Sequence, residues 1–127
     1  MTVDEVQANR LEVAADFAMT HHVYVVLKGH RTVIATPAGR IFINPTGNPG
    51  MATAGTGDVL TGMIAAWLAQ LLDAEAACRI SVFLHGAAGD LAEAVCGQIA
   101  MTSTDLLDHL GDAVNALLNR GQAEQVG

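Results

Sequence analysis

The sequence predicts an α/β chain, a small sheet followed by helices, that forms part of a larger sheet domain, the plainer alternative being a small α+β domain. Three observations carry this reading. A helical pattern, a strand-like run and a hairpin come first, then a glycine-rich segment opens a long apolar helix. After that helix no strand signal returns. The helices together offer more apolar face than so small a sheet can cover, since a typical sheet has about five or six strands.

Thr2-Val3-Asp4-Glu5 has capping-box spacing, and Leu11, Ala14, Ala15 and Ala18 recur on one face, so a helix is expected from about residue 3 to 20. His21 and His22 suit its C-terminus. Val23-Tyr24-Val25-Val26-Leu27 is an unbroken apolar run, expected as a strand covered on both faces in a parallel sheet, ending at Lys28-Gly29. Thr32 to Ala35 and Arg40 to Asn44 are two more strands, joined through Thr36-Pro37-Ala38-Gly39. The helix from about Gly57 to Leu72 is apolar almost all round (Val59, Leu60, Met63, Ile64, Trp67, Leu68, Leu71) and is expected to be buried. Asp73 caps the next, with Ala77, Ile80, Leu84, Ala87, Ala88 and Leu91 inward. Thr102 or Ser103 caps the last, with Leu106, Leu107, Leu110, Val114, Leu117 and Leu118 inward, and the polar tail from about Arg120 is expected to fray.

A chain of 127 residues is one domain or part of one, and 51% hydrophobic residues give ample core material. Six Lys and Arg against thirteen Asp and Glu leave a formal charge of −7. That balance argues against nucleic acid and anionic membranes as partners, but not against an anionic small molecule held by backbone amides. Cys78 and Cys96 fall in predicted helices at no metal-ligand spacing, so they are expected to be reduced, buried and structural in a cytoplasmic protein. Met1 leads into polar residues, so no signal peptide is expected. The most apolar helix is interrupted by Thr61, Gly62 and Gln70 and is short for a bilayer, so no membrane contact is expected.

The chemistry is concentrated in Gly47 to Gly62, G-N-P-G-M-A-T-A-G-T-G-D-V-L-T-G. Small residues at Ala54, Gly55, Thr56 and Gly57 let successive N–H groups converge where a helix begins. Unpaired donors and the positive end of the helix dipole both favour an anion there. Asp58 follows at once, and a carboxylate beside a bound phosphate implies a task such as taking a proton. The plainer alternatives are a flexible connection, a first-turn Asp that complements the dipole, and a solvated strand end at Lys28. His85 and Asp90, five residues apart, share a helical face poorly and are read as packing and hydrogen-bonding residues.

The block from Gly47 to Gly62 resembles the signature of the ADP/ATP-dependent NAD(P)H-hydrate dehydratases, metabolite-repair enzymes of the ribokinase-like superfamily. The likeness extends to Val25-Val26-Leu27-Lys28-Gly29 and Thr32-Val33-Ile34 upstream, and to Leu68-Ala69-Gln70, His85-Gly86, Ala88-Gly89-Asp90 and Ser103-Thr104-Asp105-Leu106 downstream. It covers nearly the whole chain, in family order.

The resemblance implies a three-layer α/β/α fold of which residues 1–127 are the C-terminal part, because family domains are roughly twice as long. It implies that Lys28, Gly29, His30, Arg31, Thr32 and Gly57 contact the nucleotide, the 28–32 segment at its AMP part. Asp58 is implied at the hydrated dinucleotide, as base and substrate contact. ADP or ATP is the implied co-substrate, and hydrated NADH or NADPH the substrate. Mg²⁺ is expected on the nucleotide phosphates, with no protein metal site, and a homo-oligomer is expected. Two other functions remain open: a ribokinase-like small-molecule kinase, and a non-catalytic piece that folds only with a missing half or as an oligomer.

Overall fold

Thr2 opens the first helix by reciprocal bonds: the Glu5 N–H donates to its hydroxyl at 3.1 Å, and its own N–H donates to the Glu5 carboxylate at 2.8 Å. The computed structural model describes residues 2–29 and 31–126. The chain divides into two compact units, Met1–Pro45 with Ile64–Val82, and Thr46–Met63 with Phe83–Gly127.

In the first unit, α1 (Val3–His21) packs on β1 (Val25–Leu27) and β2 (Val33–Ala35), with Ala14 and Ala18 buried against Val33 and Ala35. Small residues on the helix let it lie close to the strand. The sheet is antiparallel in the order β1-β2-β3, with β3 at Ile41–Ile43. The turn between β2 and β3 is the expected one, closed by the Thr36 N–H donating to Arg40 O at 2.9 Å and the Gly39 N–H to Thr36 O at 3.0 Å.

The first strand departs from expectation. It is a half-buried edge of an antiparallel sheet, and the fully buried central strand is β2. Its start is delayed because His22 takes a left-handed conformation (φ 54°), and both the His22 and Val23 N–H groups return to Ala18 O. Val23 thus belongs to the end of α1.

The other edge, β3, is fastened to α3 (Ala74–Ala100). The Arg79 guanidinium lies 4.1 Å from the Phe42 ring centroid and that of Arg40 lies 5.0 Å away. Arg40 Nη1 also donates to both Glu75 carboxylate oxygens, at 3.0 and 3.2 Å.

The apolar helix α2 (Thr56–Leu71) is not enclosed: only Thr56 and Leu60 are buried, and Leu68 and Leu71 are each 42% exposed. Ile64 and Leu68 line an open apolar hollow of about 340 Å³ with Tyr24, Val26, Ala74, Ala77 and Cys78. The described elements lack the surface to cover every apolar side of this helix. The enclosed helix is α3, in which Ser81, Val82, Leu84, His85, Gly86, Ala88 and Gly89 are buried, although Leu91, expected inward, is exposed. Asp73 caps α3 as expected, accepting the Ala76 N–H at 3.2 Å.

In the second unit, the helix expected after Thr102 is divided into α4 (Ser103–Asp108) and α5 (Leu110–Val126). His109 interrupts it: its backbone turns out of the helix (φ −102°, ψ 2°), and its Nδ1 lies 2.8 Å from Asp105 O, to which it donates. Leu106 and Ala113 are buried, whereas Leu107 and Leu118 are exposed. Helical backbone continues through Val126, past the expected fraying point. Burial raises the Cys78 thiol pKa; partial burial and the Asp105 carboxylate raise that of Cys96, which is half-buried rather than buried. No described helix is long and apolar enough to cross a membrane.

Thr102 N–H and hydroxyl both donate to Asp105 Oδ2, at 2.8 and 2.9 Å, and hold that carboxyl below its ordinary range. A lowered folded value means that this contribution is complete above the unfolded carboxylate pKa, about 3.9. It is lost as pH falls through the lowered value. Asp105→Asn is expected to flatten the acid limb of a pH–stability curve, measured by urea unfolding. Thr102→Ala should cost about 1 kcal/mol at neutral pH, through loss of the cap.

Candidate functional site

Between β3 and α2 the chain has one turn of regular structure, a 3₁₀ turn at Pro49–Met51. Its polar groups therefore need partners from elsewhere, and in the second unit they find them on α3. Thr46 Oγ1 donates to Phe83 O at 3.0 Å. Asp90 accepts the Gly47 N–H on Oδ2 and the Asn48 side-chain amide on Oδ1, each at 3.0 Å. Asn48 also donates to Gly89 O at 3.0 Å and accepts the Gly50 N–H at 2.9 Å, which starts the 3₁₀ turn. At the far end, His85 Nε2 lies 2.8 Å from Thr56 O and must donate, because a carbonyl only accepts.

Space is as constrained as bonding. A Cβ on Gly86 would collide with the Thr46 side chain and backbone, so α3 admits the loop only because it carries glycine there. Gly55 has φ 91°, and a Cβ on it would lie 2.9 Å from Ser103 Oγ. Glycine is the residue that tolerates both conditions.

Thr56 closes the loop. Its buried hydroxyl is shared between Met51 O at 2.7 Å and Thr53 O at 2.9 Å, and its N–H makes a long 3.4 Å contact to Thr53 O. The helical ladder of α2 begins with the Val59 N–H donating to Gly55 O at 3.1 Å. The Gly57 and Asp58 N–H groups precede that ladder, and among the described residues neither has a protein acceptor. The Ala54 and Gly55 N–H groups are likewise without one among the described residues. Ala54, Gly55 and Asp58 are exposed and Gly57 is half-buried.

In the first unit, Lys28, Gly29, Arg31 and Thr32 form the connection between β1 and β2. Arg10 of α1 holds its start, donating from Nη2 to Leu27 O and Lys28 O at 3.2 Å each. Thr32 Oγ1 donates to Gly29 O at 3.4 Å, and Asn44 N–H to Thr32 O at 2.9 Å. The Lys28 and Arg31 side chains are exposed, and Arg31 sits at φ 58°. His30 lies outside the described residues. The sequence-predicted residues thus gather into two loops, one in each unit. No group of three or more His, Cys, Asp or Glu among the described residues could hold a metal ion.

Sequence reasoning did not identify the residues that shape these loops: Arg10, Thr46, Asn48 and Ser103. Only Asn48 carried a local signal, since Asn-Pro starts turns. His85 and Asp90 hydrogen-bond as expected, and their partners are the two ends of the glycine-rich segment.

The family model for NAD(P)H-hydrate dehydratase matches residues 1–111. The bifunctional NAD(P)H-hydrate repair enzyme Nnr of Thermofilum pendens is 53% identical over 116 residues, covering 91% of this chain and 22% of that protein. The ADP-dependent (S)-NAD(P)H-hydrate dehydratase of Neisseria meningitidis is 45% identical over 97 residues, 76% of this chain and 32% of that one. Among solved structures, the ADP/ATP-dependent NAD(P)H-hydrate dehydratase of Bacillus subtilis, co-crystallised with ATP and Mg²⁺, superposes with a TM-score of 0.83 at 38% identity. That match covers 90% of this chain and 41% of the other, so this chain spans well under half the length of the relatives it matches. The shared fold is ribokinase-like.

Thr56→Val keeps the shape of the side chain and removes its hydroxyl, leaving the Met51 and Thr53 carbonyls without that donor. Stability is expected to fall by about 1–3 kcal/mol, read as a lower urea midpoint at unchanged slope.

Proposed function

Because this chain belongs to the NAD(P)H-hydrate dehydratase family, we propose that it forms the C-terminal part of one ribokinase-like domain that dehydrates hydrated NADH and NADPH at the expense of ADP or ATP. The observation that carries the reading is the set of acceptor-less N–H groups at the start of α2, with the Asp58 carboxylate on the same turn. The exposed apolar residues of α2 and the greater length of the relatives support its being part of a larger domain.

Hydroxide is a poor leaving group from the hydrated nicotinamide ring, and phosphate is a good one. The ring hydroxyl oxygen attacks the terminal phosphorus of the nucleotide, its proton passes to Asp58, and the bond from that phosphorus to the nucleotide's bridging oxygen breaks. The lone pair of the ring nitrogen then expels phosphate as the C–O bond breaks. The neighbouring carbon gives up a proton and the ring double bond returns.

Such chemistry is chiefly positioning and charge stabilisation. The amides of Ala54, Gly55 and Gly57, joined by that of Asp58, hold oxygens of the migrating group, while Thr56 fixes the turn. Each donor of this kind is worth about 2.7–4 kcal/mol of barrier. Lys28, Gly29, His30, Arg31 and Thr32 contact the AMP part of the nucleotide, and the Lys28 and Arg31 side chains are exposed. Mg²⁺ comes bound to the nucleotide phosphates, where it neutralises charge. The chain's own donor set is of amides rather than carboxylates, which suits phosphate oxygens and not a metal cage.

Incubation of the protein with hydrated NADH and ADP or ATP should restore the dihydronicotinamide absorbance band. A stable phosphorylated product instead would mark a small-molecule kinase. Asp58→Asn should lower turnover by about 10²-fold or more while leaving nucleotide affinity within about threefold, because the base is lost and the amides remain. Near-normal turnover in that variant would remove Asp58 from its role. Gly57→Val is expected to weaken nucleotide binding, measured by calorimetry, because a β-branched side chain crowds the ligand.

A further inference from the structure

The proton and phosphoryl transfers described above give His85 no task, yet it is 6% exposed and donates to a carbonyl in the first turn of α2. The identity of that carbonyl matters. Thr56 O belongs to the same peptide group as the Gly57 N–H. A trans peptide is planar, with its C=O and N–H pointing in opposite directions. Holding the oxygen 2.8 Å from His85 Nε2 therefore fixes the direction of the Gly57 N–H, away from the imidazole. A donor on the oxygen also polarises the group and strengthens its N–H as a donor.

We propose that His85 is a positioning residue for anion binding: its Nε2–H bond to Thr56 O aims and polarises the Gly57 N–H. This rests on reading the start of α2 as a phosphate site. The remainder of the loop is consistent with such a role, since Asp90 holds its beginning at Gly47 and Asn48 and leaves His85 to hold its end. A proton engaged by a carbonyl also leaves Nε2 itself unable to accept the substrate's hydroxyl proton.

The test uses the full chain, ¹⁵N-labelled, with inorganic phosphate as probe and the Gly57 and Asp58 amide resonances as readout. His85→Gln keeps a side-chain N–H donor and cannot titrate; His85→Leu removes the donor. The Gln variant should bind phosphate within about threefold of the parent, and the Leu variant about tenfold more weakly, with its Gly57 resonance displaced before phosphate is added. Should His85→Leu fail to fold by circular dichroism, His85→Asn, whose amide is too short to reach Thr56, replaces it.

Gln binding as weakly as Leu would overturn the proposal, since the imidazole and not the donor would be required. So would a Leu variant that binds normally with Gly57 undisplaced. If the parent protein itself shows no phosphate response, the anion-site reading falls. The orienting contact is then decided by the ligand-free Gly57 resonance alone: displacement in the Leu variant supports it and an unchanged position overturns it.

Discussion

A stretch of main chain outside helix and sheet must still find a partner for each buried N–H and C=O. The segment from Thr46 to Thr56 meets much of this requirement by lying against α3 from Phe83 to Asp90. Gly86 leaves room for Thr46, and Gly89 for Met51. Polar residues flank these gaps: His85 and Asp90 on the helix, Asn48 and Thr56 on the loop. The amides of Gly47, Gly50, Met51 and Ala52 find protein acceptors, and those of Ala54, Gly55, Gly57 and Asp58 at the loop's end have none among the described residues.

A net charge of −7 is compatible with the anion site proposed above. The donors are peptide dipoles held in one direction, so no excess of Lys or Arg is needed. Asp90, which holds the beginning of the loop, has both carboxylate oxygens engaged by loop donors. In the first unit Arg10 uses its guanidinium on the Leu27 and Lys28 carbonyls, so it shapes the connection between β1 and β2 while Lys28 and Arg31 face solvent.

What was legible in the sequence was local. The capping box at Thr2, the turn at Thr36 to Gly39, the caps at Asp73 and Thr102, and the loop-to-helix junction at Gly55 to Asp58 each depend on residues a few positions apart. Burial was less legible, because it depends on what lies nearby in space. α2 and α3 are both rich in apolar residues, and no periodicity distinguishes the enclosed one from the partly open one. The edge position of β1 was hidden because a run such as Val23 to Leu27 suits a central strand equally well. The residues holding the loop were hidden by separation: His85 reaches back 29 positions and Asp90 reaches back 43. The division at His109 came from a side chain competing for a backbone carbonyl, which helix propensity does not anticipate.

The two borders of the sheet differ in how they meet their surroundings. Along β3, two guanidinium groups sit on Phe42, placing charge and bulk beside the outer row of peptide groups. Along β1, Val25, Val26 and Leu27 carry no charge, proline or bulge that would discourage a further strand, and Tyr24 beside them is exposed. A further strand would therefore meet fewer obstacles along β1 than along β3, and a lysine placed within β1 would raise them.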